Sequence, residues 1–332
     1  MKTDTIFEHI SLISVAMTTY NGEKYLKEQI DSILNQSYKN IELVICDDCS
    51  KDGTWSILQE YATIDNRIKI VQNSSNLGFV RNFEQAISLC TGDFIALSDQ
   101  DDIWEEWKIA KSLEALGNHD LVCTNSLLVD ENNISLGYTL KDTLECHSIP
   151  DDQDLIYRHL CFHNFVQGST MLARAQFLKN IKIPEKTSHR IFHDHWYAIN
   201  ATFLGNGVVY INKPSIRYRQ HLEQVTVEKK KKEFKSLLFT VHSKSQNENL
   251  IEGCNTSIDL CENILKLPLE ENKRKFVEEV RKYFDHMKDK DWFTLCFFVK
   301  YHDAMYLDKN FFRKNLRIAK RFLGLIKYNL SS

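Results

Sequence analysis

The chain has 332 residues, of which 43% are hydrophobic and 26% charged, and its formal net charge is -3 at pH 7. These values are typical of a soluble globular protein with one large or two ordinary domains. They argue against a protein that is basic throughout and binds nucleic acid by its phosphates, so no nucleic-acid partner is expected.

The N-terminal segment and the cysteines indicate the compartment. Residues 1–11 lack the basic and then apolar pattern of a signal peptide, and no apolar run reaches the roughly 18 residues that a membrane span needs. We therefore expect a cytoplasmic protein. The sequence has 9 cysteines, an odd and scattered set that favours reduced thiols over a disulfide framework. Cys46 and Cys49 form the one C-x-x-C pattern, but no second pair completes a zinc site.

Four strand-then-helix units are predicted in the first part of the chain. Each begins with an apolar run and continues with apolar residues at helical spacing. The predicted strands are Leu12 to Met17, Ile41 to Cys46, Arg67 to Val71 and Phe94 to Leu97. Such alternation with short connections indicates a parallel sheet covered by helices on both faces.

The loop after each of these strands is polar, and either small or acidic. The four loops are Thr18 to Gly22, Asp47 to Ser50, Asn76 to Gly78 and Ser98 to Asp102. Ligands of parallel sheets bind beyond the carboxyl ends of the strands, so these loops are expected to form one site. Neither a G-x-G-x-x-G nor a G-x-x-x-x-G-K-[ST] motif occurs, which argues against a dinucleotide-binding enzyme and a P-loop ATPase.

The loop after the fourth strand carries three carboxylates in four positions, namely Asp99, Asp101 and Asp102. Like charges this close repel one another, and the loop follows a buried strand and precedes the apolar Ile103 and Trp104. Aspartates at i and i+2 can turn toward one point, where oxygen ligands suit Mg²⁺ or Mn²⁺ holding substrate phosphates. A solvated acidic turn is the alternative.

Further strands are predicted in the second part of the chain. They are Leu121 to Thr124, a strand pair or loop from Leu127 to Leu136, Gly207 to Ile211 and Ser215 to Arg219. The apolar run from Phe165 to Leu172 is interrupted by Gly168. A glycine inside a strand indicates a bulge or the close approach of another group, here a ligand, although a simple irregularity of the sheet is the alternative.

The segment from His189 to Tyr197 leads into a predicted helix that continues through Phe203. Its three histidines do not share one helical face, so a metal site is not favoured. Asp194 suits a fixed general base, but a carboxylate in the first turn of a helix is also common for structural reasons. His221, at a strand end, is on its own more typical of a structural residue than of a ligand.

Together these stretches resemble the glycosyltransferase family 2 enzymes of the GT-A fold. The resemblance covers about residues 10 to 225, and the matching segments occur in the family's order and spacing. They are VAMTTYNGEKYL, ELVICDDCSKDGT, NSSNLGFVRNFEQA, GDFIALSDQDDIW, VQGSTMLAR, HDHWYA and YRQH. The resemblance is strongest to the bacterial branch that builds capsule, O-antigen and other surface polysaccharides, which includes many rhamnosyltransferases. It implies a Rossmann-like α/β fold with a mostly parallel sheet flanked by helices.

The resemblance also implies roles for individual residues. Asp194 takes the place of the catalytic base, and Asp99, Asp101 and His221 take the places of ligands to Mn²⁺ or Mg²⁺. The implied nucleotide-binding residues are Thr18, Tyr20, Asp47, Asp48, Asn76, Gly78, Arg81 and Asp99. The implied contacts to the donor or acceptor sugar are Asp102, Trp104, Gly168, Ser169, His193 and Arg219. Cys46 and Cys49 depart from the family's usual residues, which alters packing but no role.

The implied activity is an inverting, metal-dependent transfer of a hexosyl group from a nucleoside diphosphate sugar to a lipid-linked or oligosaccharide acceptor. dTDP-rhamnose is the favoured donor, and a UDP-hexose is the alternative. A sugar nucleotidyltransferase is a more remote alternative, because it needs a basic, glycine-rich loop after the first strand and Thr18 to Gly22 has no basic residue. A non-catalytic binding protein would not need Asp99, Asp101 and Asp194 together.

Two regions are expected: a GT-A domain over residues 1–226 and a helical C-terminal region over residues 227–332. The second contains Lys229 to Lys232 and a basic, amphipathic segment from Lys309 to Leu330. Such a segment predicts peripheral contact with the anionic inner face of the plasma membrane, where lipid-linked acceptors of this branch reside. Packing on its own domain, or on a second subunit of a homodimer, is the alternative.

Overall fold

The computed structural model describes residues 10–144, 149, 151–184, 192–221, 244–289, 297, 300–301 and 303–305. The strands, β1 to β9, are Ile13–Thr19, Ile41–Asp47, Ile68–Gln72, Phe94–Ser98, Ile103–Trp104, Leu121–Val129, Ser135–Thr139, Leu172–Arg174 and Val208–Arg219. The helices, α1 to α10, are Leu26–Leu34, Thr54–Ile64, Phe79–Leu89, Lys108–Leu116, Leu140–Thr143, Gln153–Leu160, Ala175–Asn180, His193–Phe203, Lys244–Leu265 and Glu271–Asp289.

These strands form one sheet in the order β3-β2-β1-β4-β8-β6-β9-β5, with β7 paired to β6. Strands β1 to β4 pair in parallel, as the sequence predicts. The other half is mixed, because β8 runs antiparallel to both of its neighbours while β9 runs parallel to β6 and antiparallel to β5. The predicted α/β class with a flanked sheet is confirmed.

Helices cover both faces of the sheet, and this explains the continuous apolar strands. Every residue of β1 and of β2 is buried. Alternate residues of β1 enter different cores: Ala16 packs with α3, α6 and α8, whereas Val15 and Met17 pack with α1 and α4 on the opposite face. The period of two in a strand therefore distributes one short segment between two hydrophobic cores.

Two predicted elements differ from the structure. The run from Phe165 to Leu172 is not an interrupted strand, because residues Gly168–Thr170 form a 3-10 turn and β8 begins only at Leu172. The two strands predicted from Gly207 to Arg219 form the single strand β9. Its register with β6 shifts around Asn125, opposite Pro214, which has no N–H to donate to the ladder.

The described helices of the C-terminal region pack against the first domain. Leu260 and Ile264 of α9 and Val277 and Val280 of α10 belong to the same hydrophobic core as Ala16 of β1. This is one of the arrangements that the sequence left open, and the division at residue 226 stays a prediction. Lys229 to Lys232 and the basic segment from Lys309 to Leu330 lie outside the described residues.

Among the helices of the described residues, none combines the length and the apolar character that crossing a membrane requires.

At the amino end of the sheet, Glu42 of β2 is only 5% exposed. Its carboxylate accepts hydrogen bonds from the hydroxyl groups of Ser14 (2.5 Å) and Thr91 (2.9 Å) and pairs with Nζ of Lys69 at 2.6 Å. Burial raises the pKa of Glu42, but the bonds from Lys69, Ser14 and Thr91 outweigh it and lower the pKa to about 2. Glu42 therefore links β1, β2, β3 and the segment between α3 and β4.

Glu42→Gln is expected to lower the free energy of unfolding at pH 7 by about 1–3 kcal/mol, because it weakens buried, charge-assisted hydrogen bonds. The pKa of Glu42 is lower in the folded state than the ordinary value of about 4.3. Its contribution is therefore present above that value and is lost as the pH falls toward about 2. Urea unfolding at several pH values measures this, with the exposed Glu114→Gln as the matched control. An equal deficit at pH 3 and pH 7 would contradict the assignment.

Candidate active site

Asp47, at the carboxyl end of β2, joins three of the loops that form the site. The side chain is fully buried. Its carboxylate accepts hydrogen bonds from the Thr19 hydroxyl (2.9 Å), the Ser50 backbone N–H (3.0 Å) and Nε2 of Gln72 (3.0 Å). These partners come from the ends of β1, β2 and β3, so Asp47 holds the loops in position for any ligand.

Asp48 organises the loop after β3. One carboxylate oxygen accepts hydrogen bonds from Nδ2 of Asn73 (2.9 Å) and the N–H of Leu77 (2.8 Å), and the other accepts from the N–H of Gly78 at 2.9 Å. The Asn76 side chain also accepts from Gly78, at 3.1 Å. The predicted nucleotide-binding residues Asp48, Asn76 and Gly78 are thus brought together from two loops.

The other residues predicted to bind the nucleotide lie at different depths. Thr18 is buried at the end of β1, and the side chain of Tyr20 is 48% exposed beside it. Arg81, on α3, is exposed and pairs with Glu84 one turn further along the same helix. The structure therefore gives Arg81 a partner within the protein, and its contact with a nucleotide stays a prediction.

Gln100, which the sequence analysis did not single out, connects the first and fourth loops. Its side chain accepts a hydrogen bond from the N–H of Tyr20 at 2.8 Å and donates one to the carbonyl of Tyr20 at 3.1 Å. A side chain on Gly22 would place its Cβ 2.2 Å from Oε1 of Gln100, so glycine makes this contact possible. Gln100 therefore anchors the loop that carries Asp99 and Asp101 to the tip of β1.

Asp101 meets His221 from a distant part of the chain. Nε2 of His221 lies 2.9 Å from Oδ2 of Asp101, and the imidazole ring packs beside the ring of Tyr25 with centroids 4.9 Å apart. Burial, together with the negative charges of Asp101 and Asp194, raises the pKa of Asp99 to about 7. Because the charge of Asp194 acts on Asp99, the two halves of the predicted site lie near each other.

Asp194, in the first turn of α8, has a carboxylate fixed by three donors. It accepts hydrogen bonds from the N–H of His195 (2.6 Å), the N–H of Gly168 (3.1 Å) and Nδ2 of Asn164 (3.3 Å). Burial raises the pKa of Asp194 to about 6, and these hydrogen bonds oppose that rise. A carboxylate with this pKa is largely ionised at pH 7 and can still accept a proton, as a general base must.

Gly168 lies directly against the start of α8. A Cβ atom there would be 3.0 Å from Nε2 of His193 and 3.7 Å from Cβ of Asp194. The close approach that the sequence attributes to a ligand is therefore made by the protein itself. The ring of His193 stacks on Phe83 with centroids 4.4 Å apart, and burial lowers the pKa of His193 to about 4.

Two buried groups beside Asp194 have unused hydrogen-bonding capacity. Within the described residues, neither ring nitrogen of His193 has a hydrogen-bond partner. The Ser169 hydroxyl group has none within hydrogen-bonding distance either, although it lies close enough to Asp99 and Asp102 to lower the pKa of both carboxyl groups. Buried polar atoms without partners are uncommon and call for an explanation. Both residues were predicted to contact a sugar, whose hydroxyl groups could donate to the imidazole and bond with Ser169.

Three other predicted sugar contacts lie beneath the Asp99 loop. Asp102, Trp104 and Arg219 are at most 3% exposed. The guanidinium group of Arg219 donates to the carbonyl groups of Asp101 (2.9 Å) and Glu131 (2.8 Å) and to the carboxylate of Glu28 at 2.5 Å. These side chains are buried in the protein interior, next to the paired strands β5 and β9. Their contact with a sugar stays a prediction, and the structure gives Arg219 a supporting position.

The residues present fit a divalent cation bound together with a diphosphate. No group of three or more His, Cys, Asp or Glu side chains forms a complete metal shell in the part of the chain that the structure describes. Asp101 and His221 instead supply one carboxylate and one imidazole at the same point. Mg²⁺ and Mn²⁺ in phosphate-transferring sites commonly use few protein ligands, and phosphate oxygens and waters supply the others.

Polar side chains on one face of α1 support the loop between β4 and β5, which carries Asp99 and Asp101. The sequence analysis did not single them out. Nε2 of Gln29 donates to the Ser98 hydroxyl at 2.7 Å, and the Ser32 hydroxyl accepts from the N–H of Trp104 at 3.0 Å. Gln29 is fully buried. Buried amides and hydroxyls among the apolar residues of one helical face are the signal that could have revealed them.

Similar proteins identify the family. The sequence profile for "Glycosyl transferase family 2" matches residues 14–197, more than half of the chain, so this protein belongs to the family 2 glycosyltransferases. The chain is 27% identical over 339 residues to an uncharacterized glycosyltransferase of Haemophilus influenzae, which covers 96% of this chain and 98% of that protein. It is 26% identical over 231 residues to the Escherichia coli UDP-Glc:alpha-D-GlcNAc-diphosphoundecaprenol beta-1,3-glucosyltransferase WfaP, covering 69% and 84% respectively.

Solved structures share the fold. S. aureus TarS in complex with UDP-GlcNAc has a TM-score of 0.53 at 18% identity and covers 88% of this chain and 81% of that chain. The mannosyltransferase PcManGT from Pyrobaculum calidifontis, in complex with GDP-Man and Mn²⁺, has a TM-score of 0.50 at 15% identity and covers 95% and 81%. At these identities the likeness concerns the fold alone, and it confirms the predicted GT-A architecture.

Gly78→Ala is expected to lower the free energy of unfolding by about 1–3 kcal/mol, because Gly78 has φ 80° and ψ 155°, a region that essentially only glycine occupies. A new methyl group would meet no atom within 4 Å, so backbone strain is the sole expected cost. Thermal and urea unfolding measure the change, with the exposed Ser88→Ala on α3 as the control. A variant as stable as the unaltered protein would show that the loop around Asp48 adapts freely.

Proposed function

We propose that this protein transfers a hexosyl group, with inversion, from a nucleoside diphosphate sugar to a growing bacterial surface-polysaccharide acceptor. The observation that carries the proposal is the placement of Asp194, from α8, against Gly168 and near Asp99 at the end of β4: its carboxylate accepts the N–H of Gly168, and its negative charge raises the pKa of Asp99. A hydrogen-bonded carboxylate that can accept a proton thus lies beside an acidic loop suited to a cation and a diphosphate. Membership of family 2 supports the same reaction.

The donor is proposed to be linked to UDP or dTDP. A carboxylate such as that of Asp48 can accept a hydrogen bond from the N3–H of uracil or thymine. WfaP is named for UDP-Glc, and TarS has been crystallised with UDP-GlcNAc, which supports a UDP-hexose. The resemblance to rhamnosyltransferases supports dTDP-rhamnose. The acceptor named for WfaP is a diphosphoundecaprenol-linked sugar, which supports a lipid-linked acceptor for this protein as well.

Asp194 is the proposed general base. Its carboxylate removes the proton from an acceptor hydroxyl group, whose oxygen attacks the anomeric carbon from the face opposite the nucleoside diphosphate. One C–O bond forms as the C–O bond to the diphosphate breaks. The proton remains on Asp194, and the nucleoside diphosphate leaves with the bonding electrons. The hydrogen bonds from Gly168, Asn164 and His195 keep the carboxylate oriented during this step.

The leaving diphosphate needs positive charge, which the described loops themselves do not provide. Mn²⁺ or Mg²⁺ bound by Asp101 and His221, with Asp99 shared between cation and ribose, would neutralise that charge as a Lewis acid and orient the donor. Asp101 is fixed for this purpose, because its backbone carbonyl accepts from Arg219 and the adjacent Gln100 is bonded to Tyr20. Peripheral membrane contact and a homodimer stay predictions.

Asp194→Asn is expected to reduce kcat by about 10²–10⁴-fold, because the amide cannot accept the acceptor's proton. This corresponds to about 3–5 kcal/mol of barrier, while the affinity for the nucleotide sugar changes little. In the unaltered protein, kcat is expected to fall as the pH drops through about 6, since protonation of Asp194 removes the base. Release of nucleoside diphosphate measures the rate.

The control for this variant is Asp154→Asn on α6, whose side chain is 72% exposed and remote from the site. Turnover by Asp194→Asn at the unaltered rate, with Asp154→Asn also unchanged, would show that another group is the base.

Asp101→Ala is expected to weaken Mn²⁺ and UDP binding together, because the cation links the protein to the diphosphate. A ligand that binds only the folded state raises the melting temperature, so thermal stabilisation by UDP with and without Mn²⁺ measures the coupling. The same assay, applied to a panel of UDP- and dTDP-linked sugars, distinguishes the two proposed donors. Retention of full Mn²⁺-dependent stabilisation by Asp101→Ala would rule out its role as a metal ligand.

A further inference from the structure

Asn164 lies between α6 and the 3-10 turn, and the sequence analysis did not single it out. Its side chain bonds with the backbone of the residue two positions on: Oδ1 accepts the N–H of Val166 at 2.9 Å, and Nδ2 donates to the Val166 carbonyl at 2.9 Å. Because the backbone N–H can only donate and the carbonyl can only accept, these partners fix which end of the amide carries the nitrogen.

The amide nitrogen of Asn164 has a second N–H, and the proposed base accepts it. Nδ2 of Asn164 donates to Oδ1 of Asp194 at 3.3 Å. The two bonds to Val166 set the direction of the whole amide group, and therefore the direction of this second N–H. Asn164 thus presents a preorganised donor to Asp194.

The same segment supplies the donor to the other carboxylate oxygen. The N–H of Gly168 donates to Oδ2 of Asp194 at 3.1 Å, and the Gly168 carbonyl accepts the N–H of Met171 at 2.9 Å within the 3-10 turn. Val166, two positions before Gly168, is 3% exposed and packs in the hydrophobic core. The bonds between Asn164 and Val166 on one side and the 3-10 turn on the other therefore hold the Gly168 N–H in place.

The titratable groups around Asp194 in the described structure supply no positive charge at pH 7. Burial lowers the pKa of His193 and of His195 to about 4, so both imidazoles are neutral. Burial, with a contribution from the charge of Asp194, raises the pKa of the Cys123 thiol, which stays neutral as well. Asp99 can only add negative charge. The ionised form of Asp194 therefore depends on uncharged hydrogen-bond donors.

We infer that Asn164 is a positioning residue that fixes the proposed base, Asp194, in two ways. Its second N–H holds Oδ1 directly, and its bonds to Val166 keep the Gly168 N–H on Oδ2. A carboxylate held through both oxygens meets the acceptor's proton in one geometry. The inference rests on the proposed function, since Asp194 is the base of that reaction. Asn164 acts through Asp194.

Three substitutions separate the two contributions. Asn164→Ser keeps a hydroxyl group that can accept the Val166 N–H in an ST turn, but it is too short to reach Asp194. Asn164→Ala removes the bonds to Val166 and the donor to Asp194 together. Asn164→Asp can still accept the Val166 N–H, and it places a second negative charge beside Asp194. The matched control is Asn180→Ala, at the exposed last residue of α7.

Two readouts on the full-length protein test the inference. The first is the pH dependence of kcat and KM, measured by release of nucleoside diphosphate from the panel of UDP- and dTDP-linked sugars with Mn²⁺, with α-D-GlcNAc-diphosphoundecaprenol as the probe acceptor. The second is the titration midpoint of the Asp194 carboxyl group, followed by NMR in protein with ¹³C-labelled aspartate side chains. Loss of the resonance in Asp194→Asn assigns it.

The acidic limb of kcat and the NMR midpoint of Asp194 are expected to move to higher pH in all three variants, because losing a donor or adding a negative charge disfavours the ionised carboxylate. The shift should be about one pH unit in Asn164→Ser and larger in Asn164→Asp. Above about pH 8 the base is ionised in Asn164→Ser and Asn164→Ala. There Asn164→Ser should approach the unaltered kcat, and Asn164→Ala should be about tenfold slower, since only alanine releases the Gly168 N–H.

The KM for the nucleotide sugar should change little in these variants, and Asn180→Ala should match the unaltered protein throughout. A merely structural role would lower kcat by one factor at every pH, together with the melting temperature, and would leave the limb and the midpoint in place.

Two results would overturn the inference. An unmoved limb and midpoint in Asn164→Ser would remove the direct contact, and equal kcat of Asn164→Ser and Asn164→Ala above about pH 8 would remove the hold on Gly168. If Asn164→Ala does not fold, the midpoints of the serine and aspartate variants still decide. If the unaltered protein turns over no sugar of the panel, the proposed function fails, whereas the NMR midpoints still show whether Asn164 acts on Asp194.

Discussion

Electrostatic repulsion among the carboxylates at the end of β4 is the constraint on which the site depends. Asp99, Asp101 and Asp102 occupy four positions, and each meets a different environment. Asp102 points inward to the N–H of Arg219, Asp101 meets His221, and the pKa of Asp99 is raised by burial and by its anionic neighbours. A loop under this constraint holds its shape only if positive or hydrogen-donating groups lie on both sides. On the inner side the protein itself supplies such groups. On the outer side the proposed cation and the nucleotide sugar would do so.

The remaining loops are shaped by the same kind of contact, a buried carboxylate or amide that collects donors from neighbouring strand ends. Asp47 ties the tips of β1 to β3, Asp48 orders the loop that ends at Gly78, and Gln100 joins the Asp99 loop to Tyr20. A polar edge of the sheet is thereby preorganised before any ligand binds, and Asp194 is added from α8 through its bond with Gly168. Preorganised charges of this kind are what lower the barrier of group transfer.

The parallel strands and the gathering of their loops could be predicted from the sequence, because apolar runs and polar strand ends are local signals. The burial of Asp102, Trp104 and Arg219 could not, since these residues lie where β5 pairs with β9, and the two strands are far apart in the chain. Gly168 was assigned to a strand for a related reason. A short apolar run does not reveal whether its burial comes from a sheet or from a 3-10 turn beneath α8.

A crystal structure of this protein with UDP and Mn²⁺ tests the central claim most directly. The account predicts that Mn²⁺ binds together with the nucleotide, with the Asp101 carboxylate and the His221 imidazole among its ligands. It also predicts that the Asp194 carboxylate faces the space next to the diphosphate in which the donor sugar would lie. A nucleotide bound away from the tips of β1, β2 and β4, or a cation with neither Asp101 nor His221 as a ligand, would contradict it.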